Sequence, residues 1–221
     1  MAQDTKFPFD LDLSVLDTGS ITNILNDIDQ HMPLMESERD RVQLLQVKEF
    51  FEDDYLINRT LLIIEKFLKI HIKNQIENGA KVIQIFDSWA GLLDEKDLPN
   101  YVYIPTLSLV DYVKSLNIPV ICFPRGVSNY KNYCEIVRPT AISIDYNVDP
   151  KKIINEINIP VQGGLDPKVL LTDKDNLKKE IIRYLEIFKD HPYIFNLGHG
   201  VLPETSPEMM EYLVQTVKEY K

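Results

Sequence analysis

Residues 79–93 read GAKVIQIFDSWAGLL. A glycine opens the stretch, a nearly unbroken apolar run, KVIQIFD, fills 81–87, and Asp87, Ser88 and Trp89 follow before the chain turns apolar again. A run this short and this continuously apolar fits a strand covered on both faces, as in a parallel sheet, better than a strand with one wet face, which would alternate. The unit repeats. IPVICFP, AISIDY, IPVQGGLD and YIFNLGHG begin near residues 118, 141, 160 and 193. Segments near 106–115, 127–137, 150–156, 174–189 and 207–219 carry apolar residues at helical spacing between and after them. Strands alternating with helices predict an α/β fold, either an open doubly wound sheet or a (β/α)8 TIM-barrel type, and the pattern alone does not choose between them. No strand is followed by G-x-G-x-x-G or by a P-loop, which argues against a dinucleotide or nucleotide-phosphate site.

Upstream, Val42, Leu45, Leu56, Leu61, Ile64, Phe67, Leu68, Ile70 and Ile72 recur at three and four from about Arg41 to Asn78, predicting one long helix or two closed by Gly79. Residues 1–40 mix short apolar pieces with carboxylates and read as an irregular amino-terminal remnant, leaving 41–221 as a partial barrel domain. With 221 residues and 44% hydrophobic content the chain has enough apolar material for one core. Its net charge of −10 repels nucleic acid and anionic membranes, so neither is an expected partner, and an anionic ligand would need a local basic pocket. Two cysteines, Cys122 and Cys134, have no metal-type spacing and fit a reducing compartment. The first residues lack the basic and apolar regions of a signal peptide, and no apolar run approaches bilayer length, so a cytoplasmic protein is expected.

In any parallel α/β architecture the chemistry lies at the carboxyl ends of the strands. The residues there are Asp87, Ser88 and Trp89; Arg125 and Gly126; Asp145 and Tyr146; Gly163, Gly164 and Asp166; and Asn196, Gly198, His199 and Gly200. His199 between two glycines is set on a turn that leaves its ring uncrowded. Arg125 follows a strand and carries a guanidinium suited to bidentate carboxylate binding. Asp87 is expected to be structural, as a cap or in a charge pair, and Asp166 before Pro167 reads as a cap. Ser88 lies in no G-x-S-x-G elbow, and no triad order can be justified, so no residue is singled out as a covalent catalyst.

Taken together, VIQIFDSWAG, ISIDYNVDPKK, VQGGLDP and FNLGHGVLPETSPE, in that order and followed by a final helix, resemble the carboxyl-terminal part of the uroporphyrinogen decarboxylase family, from about Phe51 onward. The resemblance implies a (β/α) barrel, cytoplasmic and homodimeric. Its activity would be removal of carbon dioxide from the four acetates of uroporphyrinogen, giving coproporphyrinogen in haem biosynthesis with neither metal nor organic cofactor. The serine of the D-S-W-A-G motif and the histidine of N-L-G-H-G contact the tetrapyrrole in that family, and they match Ser88 and His199.

The 221 residues depart from the family pattern as well. The P-x-W-x-M-R-Q-A-G-R motif, whose arginines grip carboxylates, does not occur in them. Nor does a counterpart of the aspartate that holds the pyrrole N–H groups, and HMPLMESERDRVQ (31–43) does not match the expected P-W-T segment with its tyrosine. Gly164 stands where many members have asparagine. Five strands are recognisable where a closed barrel needs about eight and roughly 250 residues. The barrel is therefore expected to be incomplete and the activity of this chain to be low. Two other readings keep the fold. Related barrels are corrinoid-dependent methyltransferases with zinc held by histidine and cysteines, but Cys122 lacks an H-x-C partner and LGHG ends without cysteine, so no metal is expected. The other is an inactive fragment that serves only as an assembly partner.

Overall fold

A computed structural model describes residues 54–220, and the readings for residues 1–40 and for 41–53 lie outside them. The chain divides into two compact units, Met1–Lys66 and Phe67–Lys221. Of the first, only the start of helix α1 (Asp54–Glu77) is described. The second unit carries the end of α1 and five repeats of strand and helix. Its strands are β1 (Ile83–Asp87), β2 (Val120–Pro124), β3 (Ala141–Ile144), β4 (Val161–Gly163) and β5 (Tyr193–Ile194). Its further helices are α2 (Ile104–Ser115), α3 (Tyr130–Val137), α4 (Pro150–Glu156), α5 (Lys174–Phe188) and α6 (Pro207–Glu219). A π-helical turn, Pro99–Tyr103, leads into α2, and short 3₁₀ turns follow β1 and β4.

Helix starts follow local chemistry. Asn129, Asp149, Asp173 and Ser206 accept backbone N–H groups with their side chains at the starts of α3 to α6, and Pro150 and Pro207 occupy the first turns of α4 and α6. Asp166 accepts from the Lys168 N–H at 2.9 Å ahead of Pro167, the cap read from GGLDP.

All neighbouring strands are parallel, in the order β1-β2-β3-β4-β5. Each strand lies beside the next in sequence with no reversal, whereas a doubly wound sheet reverses at its switch point. The sheet also curls. In a flat sheet β1 and β4, three strands apart, would stand about 14 Å from each other, yet Gln162 Nε2 of β4 donates to Gln84 Oε1 of β1 at 3.3 Å. Sequential parallel order and a concave face together define an arc of a (β/α)8 barrel, incomplete at five strands.

The convex face carries the core. Ile83, Val120, Cys122, Ile142, Ile144 and Val161 pack beneath Val110 and Val113 of α2, Tyr133 and Val137 of α3, Ile153 of α4 and Leu177, Ile181 and Phe188 of α5, all of them buried. Complete burial of one such aliphatic side chain is worth about 1.5–3 kcal/mol. That row of apolar side chains is why the runs read as almost unbroken hydrophobic sequence. No helix among the described residues is long and apolar enough to cross a membrane.

Candidate functional site at the carboxyl end of the sheet

The concave face holds the other side chains of the same strands. Register aligns Phe86 with Phe123, Ser143 with Gln162 and Gln162 with Ile194, so every second residue points inward along one row. Gln84, Phe86, Phe123, Ser143 and Gln162 line a cavity of about 570 Å³, together with Ser88 after β1, residues 195–201 after β5, and Met210, Leu213 and Val214 of α6. Phe86 and Phe123 meet edge to face, their ring centroids 6.1 Å apart, and the His199 ring lies 6.5 Å from Phe123.

Ser88 and His199, 111 positions apart in sequence, thus line one cavity at the carboxyl ends of the first and fifth strands. His199 is exposed and Ser88 half-buried. Arg125 is half-buried and is not among the residues that line the cavity, and it makes no ion pair with a described residue. Its backbone is used instead: its N–H donates to the Asp87 carbonyl at 3.0 Å and its carbonyl accepts from Gly91 N–H at 2.9 Å.

Those bonds begin a chain of ties running from loop to loop. The loop after β2 is fixed to the loop after β3 by Asp145, which is almost wholly buried: its Oδ2 accepts from Gly126 N–H at 2.8 Å and its Oδ1 from Asn147 N–H at 2.8 Å. The loop after β5 leans on the same residue. A Cβ on Gly198 would sit 2.4 Å from Tyr146 N and 2.9 Å from Asp145 C, so only glycine permits the approach. Gly198 N–H in turn donates to the Leu165 carbonyl at 2.7 Å, joining the loops after β4 and β5. The turn after β4 has two successive left-handed residues, Gly163 (φ 87°) and Gly164 (φ 96°). Their carbonyls are held by the hydroxyls of Tyr193 at 2.7 Å and Tyr184 at 2.6 Å. A side chain at Gly164 would meet Tyr184 Cε1 at 2.9 Å and Ile144 Cδ1 at 3.1 Å, so the packing of this chain favours glycine there.

Asp87 precedes Ser88 at the end of β1. Burial pushes its carboxyl above the ordinary carboxylate range, while the backbone N–H groups of Trp89 and Ala90, which it accepts, pull the other way. Cys122 is fully buried on the convex side, and burial pushes its thiol up to about 12. Gln84, Ser143 and Gln162 were not singled out from sequence, whereas Asn196 was, as a residue at the end of the fifth strand. The usable signal was a lone polar residue inside three apolar runs, VIQIF, AISID and PVQGG.

A sequentially ordered parallel arc with a cavity at its carboxyl end, lined by the loops after the first and fifth strands, defines a protein of the (β/α)-barrel class. Comparison with known proteins gives the family. The model of the Uroporphyrinogen decarboxylase (URO-D) family matches residues 34–220. The uroporphyrinogen decarboxylase of Wolbachia sp. subsp. Drosophila simulans (strain wRi) is 46% identical over 164 residues, covering 72% of this chain and 48% of that protein. That of Rickettsia bellii (strain RML369-C) is 40% identical over 178 residues, 79% of this chain and 52% of that protein. That of Rickettsia africae (strain ESF-5) is 35% identical over 178 residues, 79% and 51% respectively. The chain belongs to the uroporphyrinogen decarboxylase family, and it spans about half the length of the curated relatives it matches.

Proposed function

We propose that this chain contributes the Ser88 and His199 wall of a uroporphyrinogen decarboxylase site, with uroporphyrinogen as ligand, in a cytoplasmic and homodimeric protein. The observation that carries the reading is the convergence of Ser88 and His199 on one cavity of about 570 Å³ from opposite ends of the strand order. That volume falls in the range of small-molecule sites, which run to about 1,000 Å³. The serine hydroxyl and an imidazole N–H are donors that hydrogen-bond a carboxylate or a pyrrole ring edge. Arg125 is included in the proposal as a carboxylate partner on its chemistry alone: its guanidinium suits bidentate binding and it follows β2, although it does not line the described cavity.

Decarboxylation of an acetate on a pyrrole passes through a protonated, cationic ring, which calls for a preorganised anion beside the ring and cations for the peripheral carboxylates. The described lining of the cavity brings hydroxyl, amide and imidazole groups, with no Asp, Glu, Lys or Arg among them. Loss of one preorganised electrostatic group lowers turnover by roughly 10²–10³, so the 221-residue chain on its own converts uroporphyrinogen at least that much more slowly than a typical family member. Two measurements test the reading. Tetrapyrrole binding is followed through the single tryptophan, Trp89, which adjoins Ser88 and is 71% exposed. Ser88→Ala and His199→Gln are each expected to weaken binding by about tenfold, the scale of one hydrogen bond to a charged group. An anaerobic assay follows coproporphyrinogen formation. Unaltered binding in both variants would remove the ligand from this cavity, and turnover at the ordinary family rate would refute the electrostatic argument.

A further inference from the structure

Ser88 and His199 stand on loops that follow the first and fifth strands, and the ties between those loops meet at one buried side chain, Asp145. On the Ser88 side, Gly91 N–H donates to the Arg125 carbonyl at 2.9 Å, and a Cβ on Gly91 would sit 2.5 Å from the carbonyl carbon and oxygen of Gly126. Gly126 N–H donates in turn to Asp145 Oδ2 at 2.8 Å. On the His199 side, Asp145 Oδ1 accepts the Asn147 N–H at 2.8 Å, which shapes the Asp145–Tyr146 peptide. Buried Gly198 lies against that peptide, 2.4 Å separating Tyr146 N from where its Cβ would stand. Both flanking contacts are backbone on backbone and admit only glycine, so turning a side chain does not let either loop slide on its neighbour. Asp145 is 1% exposed, and a buried carboxylate is costly unless it is hydrogen-bonded. Both bonds that its oxygens accept come from loop backbone at the strand ends.

We propose that Asp145 is a positioning residue: through Gly126 and Gly198 it fixes the separation and direction of the Ser88 hydroxyl and the His199 imidazole, so that the two meet one ligand as a unit. Asp145 does not itself line the cavity. This role rests on the tetrapyrrole reading above only for the ligand that the two donors share. A carboxylate suits the place because two N–H groups point at it, one to each oxygen, and it has no donor of its own to satisfy. Asparagine fills the same volume but offers one acceptor oxygen, and its NH₂ meets the second N–H donor to donor. One of the two loops is then released while the packing around the residue keeps its shape. Misplacement of a ligand-facing group by about 1 Å costs up to roughly 10²-fold in its effect, so a substitution that never touches the ligand is felt at Ser88 and His199.

The test compares Asp145→Asn with Val113→Ala in the full 221-residue chain. Val113 is buried in α2, and its carbonyl accepts the N–H groups of Leu116 and Ile118 where the chain enters β2, so its truncation loosens the core at the opposite end of the sheet. The first readout is the His199 ring resonance in NMR without ligand, assigned by its loss in His199→Gln. Asp145→Asn is expected to move or split it, and Val113→Ala to leave it in place. Gly198→Ala, which pushes the His199 loop off the Asp145–Tyr146 peptide and keeps the carboxylate, is expected to move the same resonance, and it decides the matter should Asp145→Asn not fold. The second readout is uroporphyrin binding followed through Trp89. Asp145→Asn is expected to weaken it about tenfold in the parent, the scale of one donor lost. In the Ser88→Ala/His199→Gln background, where no donor is left to position, the same substitution is expected to weaken it less than about twofold. A His199 resonance that stays in place, the same movement in Val113→Ala, or equal weakening in both backgrounds would overturn the proposal. Failure of uroporphyrin to bind the parent chain would overturn the tetrapyrrole reading, and the resonance alone then decides the role of Asp145.

Discussion

The two glycines that flank His199 look equivalent in sequence, and the structure makes opposite demands on them. At Gly198 an added methyl would lie 2.4 Å from Tyr146 N, 2.9 Å from Asp145 C and 3.0 Å from Tyr146 Cα. All three are backbone atoms, so no side-chain rotation relieves the overlap, and the loop after β5 has to move off the loop after β3. Overpacking of this kind costs about 1–3 kcal/mol. The displacement also strains the 2.7 Å bond from Gly198 N–H to the Leu165 carbonyl, worth a further 0.5–1.5 kcal/mol or so. Gly198→Ala is therefore expected to destabilise the protein by about 2–4 kcal/mol. At about 2–4 °C per kcal/mol for a chain of this size, the melting temperature falls by roughly 5–15 °C. At Gly200 nothing lies within 4 Å of the added methyl and φ is not positive, so Gly200→Ala is expected to change stability by about 0.5 kcal/mol or less. Thermal and urea unfolding of the two variants side by side measure the difference. Equal shifts, or a larger loss at Gly200, would refute the view that loop-to-loop contact explains the glycine at 198.

Other outcomes follow from the same ties. Asp145→Ala strips the acceptor from the Gly126 and Asn147 N–H groups and is expected to cost about 3 kcal/mol in urea unfolding, with Asp145→Asn, which keeps one carbonyl acceptor, losing about half as much. Asp87 has a folded-state pKa raised above its ordinary 3.8, so the stability it contributes is full below that value and is lost as pH rises through the folded pKa. Unfolding measured from pH 7 down to pH 4 should therefore show the parent gaining on Asp87→Asn as acid is added, and a gap that is flat or moves the other way would contradict the shift. The thiols of Cys122 and Cys134, each pushed up to about 12 by burial, are expected to react with a disulfide reagent at pH 8 only after denaturation, when both titrate. A fast-reacting native thiol would show that α3 does not seal them.

Much of the fold was legible because the convex row of the sheet is buried beneath the helices while the concave row also carries apolar side chains such as Phe86 and Phe123. Runs read from residues 81, 118, 141, 160 and 193 become strands that start at Ile83, Val120, Ala141, Val161 and Tyr193. The cap read at Asp166 before Pro167 is present, and the same pairing recurs at Asp149 and Ser206, where sequence placed the helices by apolar spacing alone. What sequence could not supply was order in space. Only the sequence of pairings and the reach of Gln162 to Gln84 separate a barrel arc from an open sheet, and both are relations between strands far apart in the chain. Within the site, Ser88 and His199 were readable from their motifs. Asp145 looked like any other polar residue after a strand, and its role is visible only when the backbones of Gly126 and Gly198 are seen to converge on it. Tyr184 and Tyr193 were read as apolar positions of a helix and a strand, since nothing local marks a hydroxyl that will bind a carbonyl 20 or 30 residues away.

The cavity's neutrality and the rigidity of its rim belong to one physical arrangement. A site that neutralises a polyanion with long flexible cations can tolerate a mobile frame, because arginine and lysine side chains adjust to the charge. A site that presents amides, hydroxyls and one imidazole has only direction to offer, since a hydrogen bond weakens steeply away from linearity and beyond about 3.2 Å. Its donors and acceptors must already stand where the ligand needs them. The ties from Gly91 to Arg125, Gly126 to Asp145, Gly198 to Leu165 and the tyrosines to Gly163 and Gly164 are backbone-anchored, short and local to the strand ends. They set the spacing between the loop carrying Ser88 and the loop carrying His199, and among the described residues no Asp, Glu, Lys or Arg lines the cavity. The described wall is thus built for shape and direction, and if the proposed tetrapyrrole is its ligand, the groups that balance carboxylates are a separate set, free to lie at the rim or on other elements without upsetting the wall's geometry.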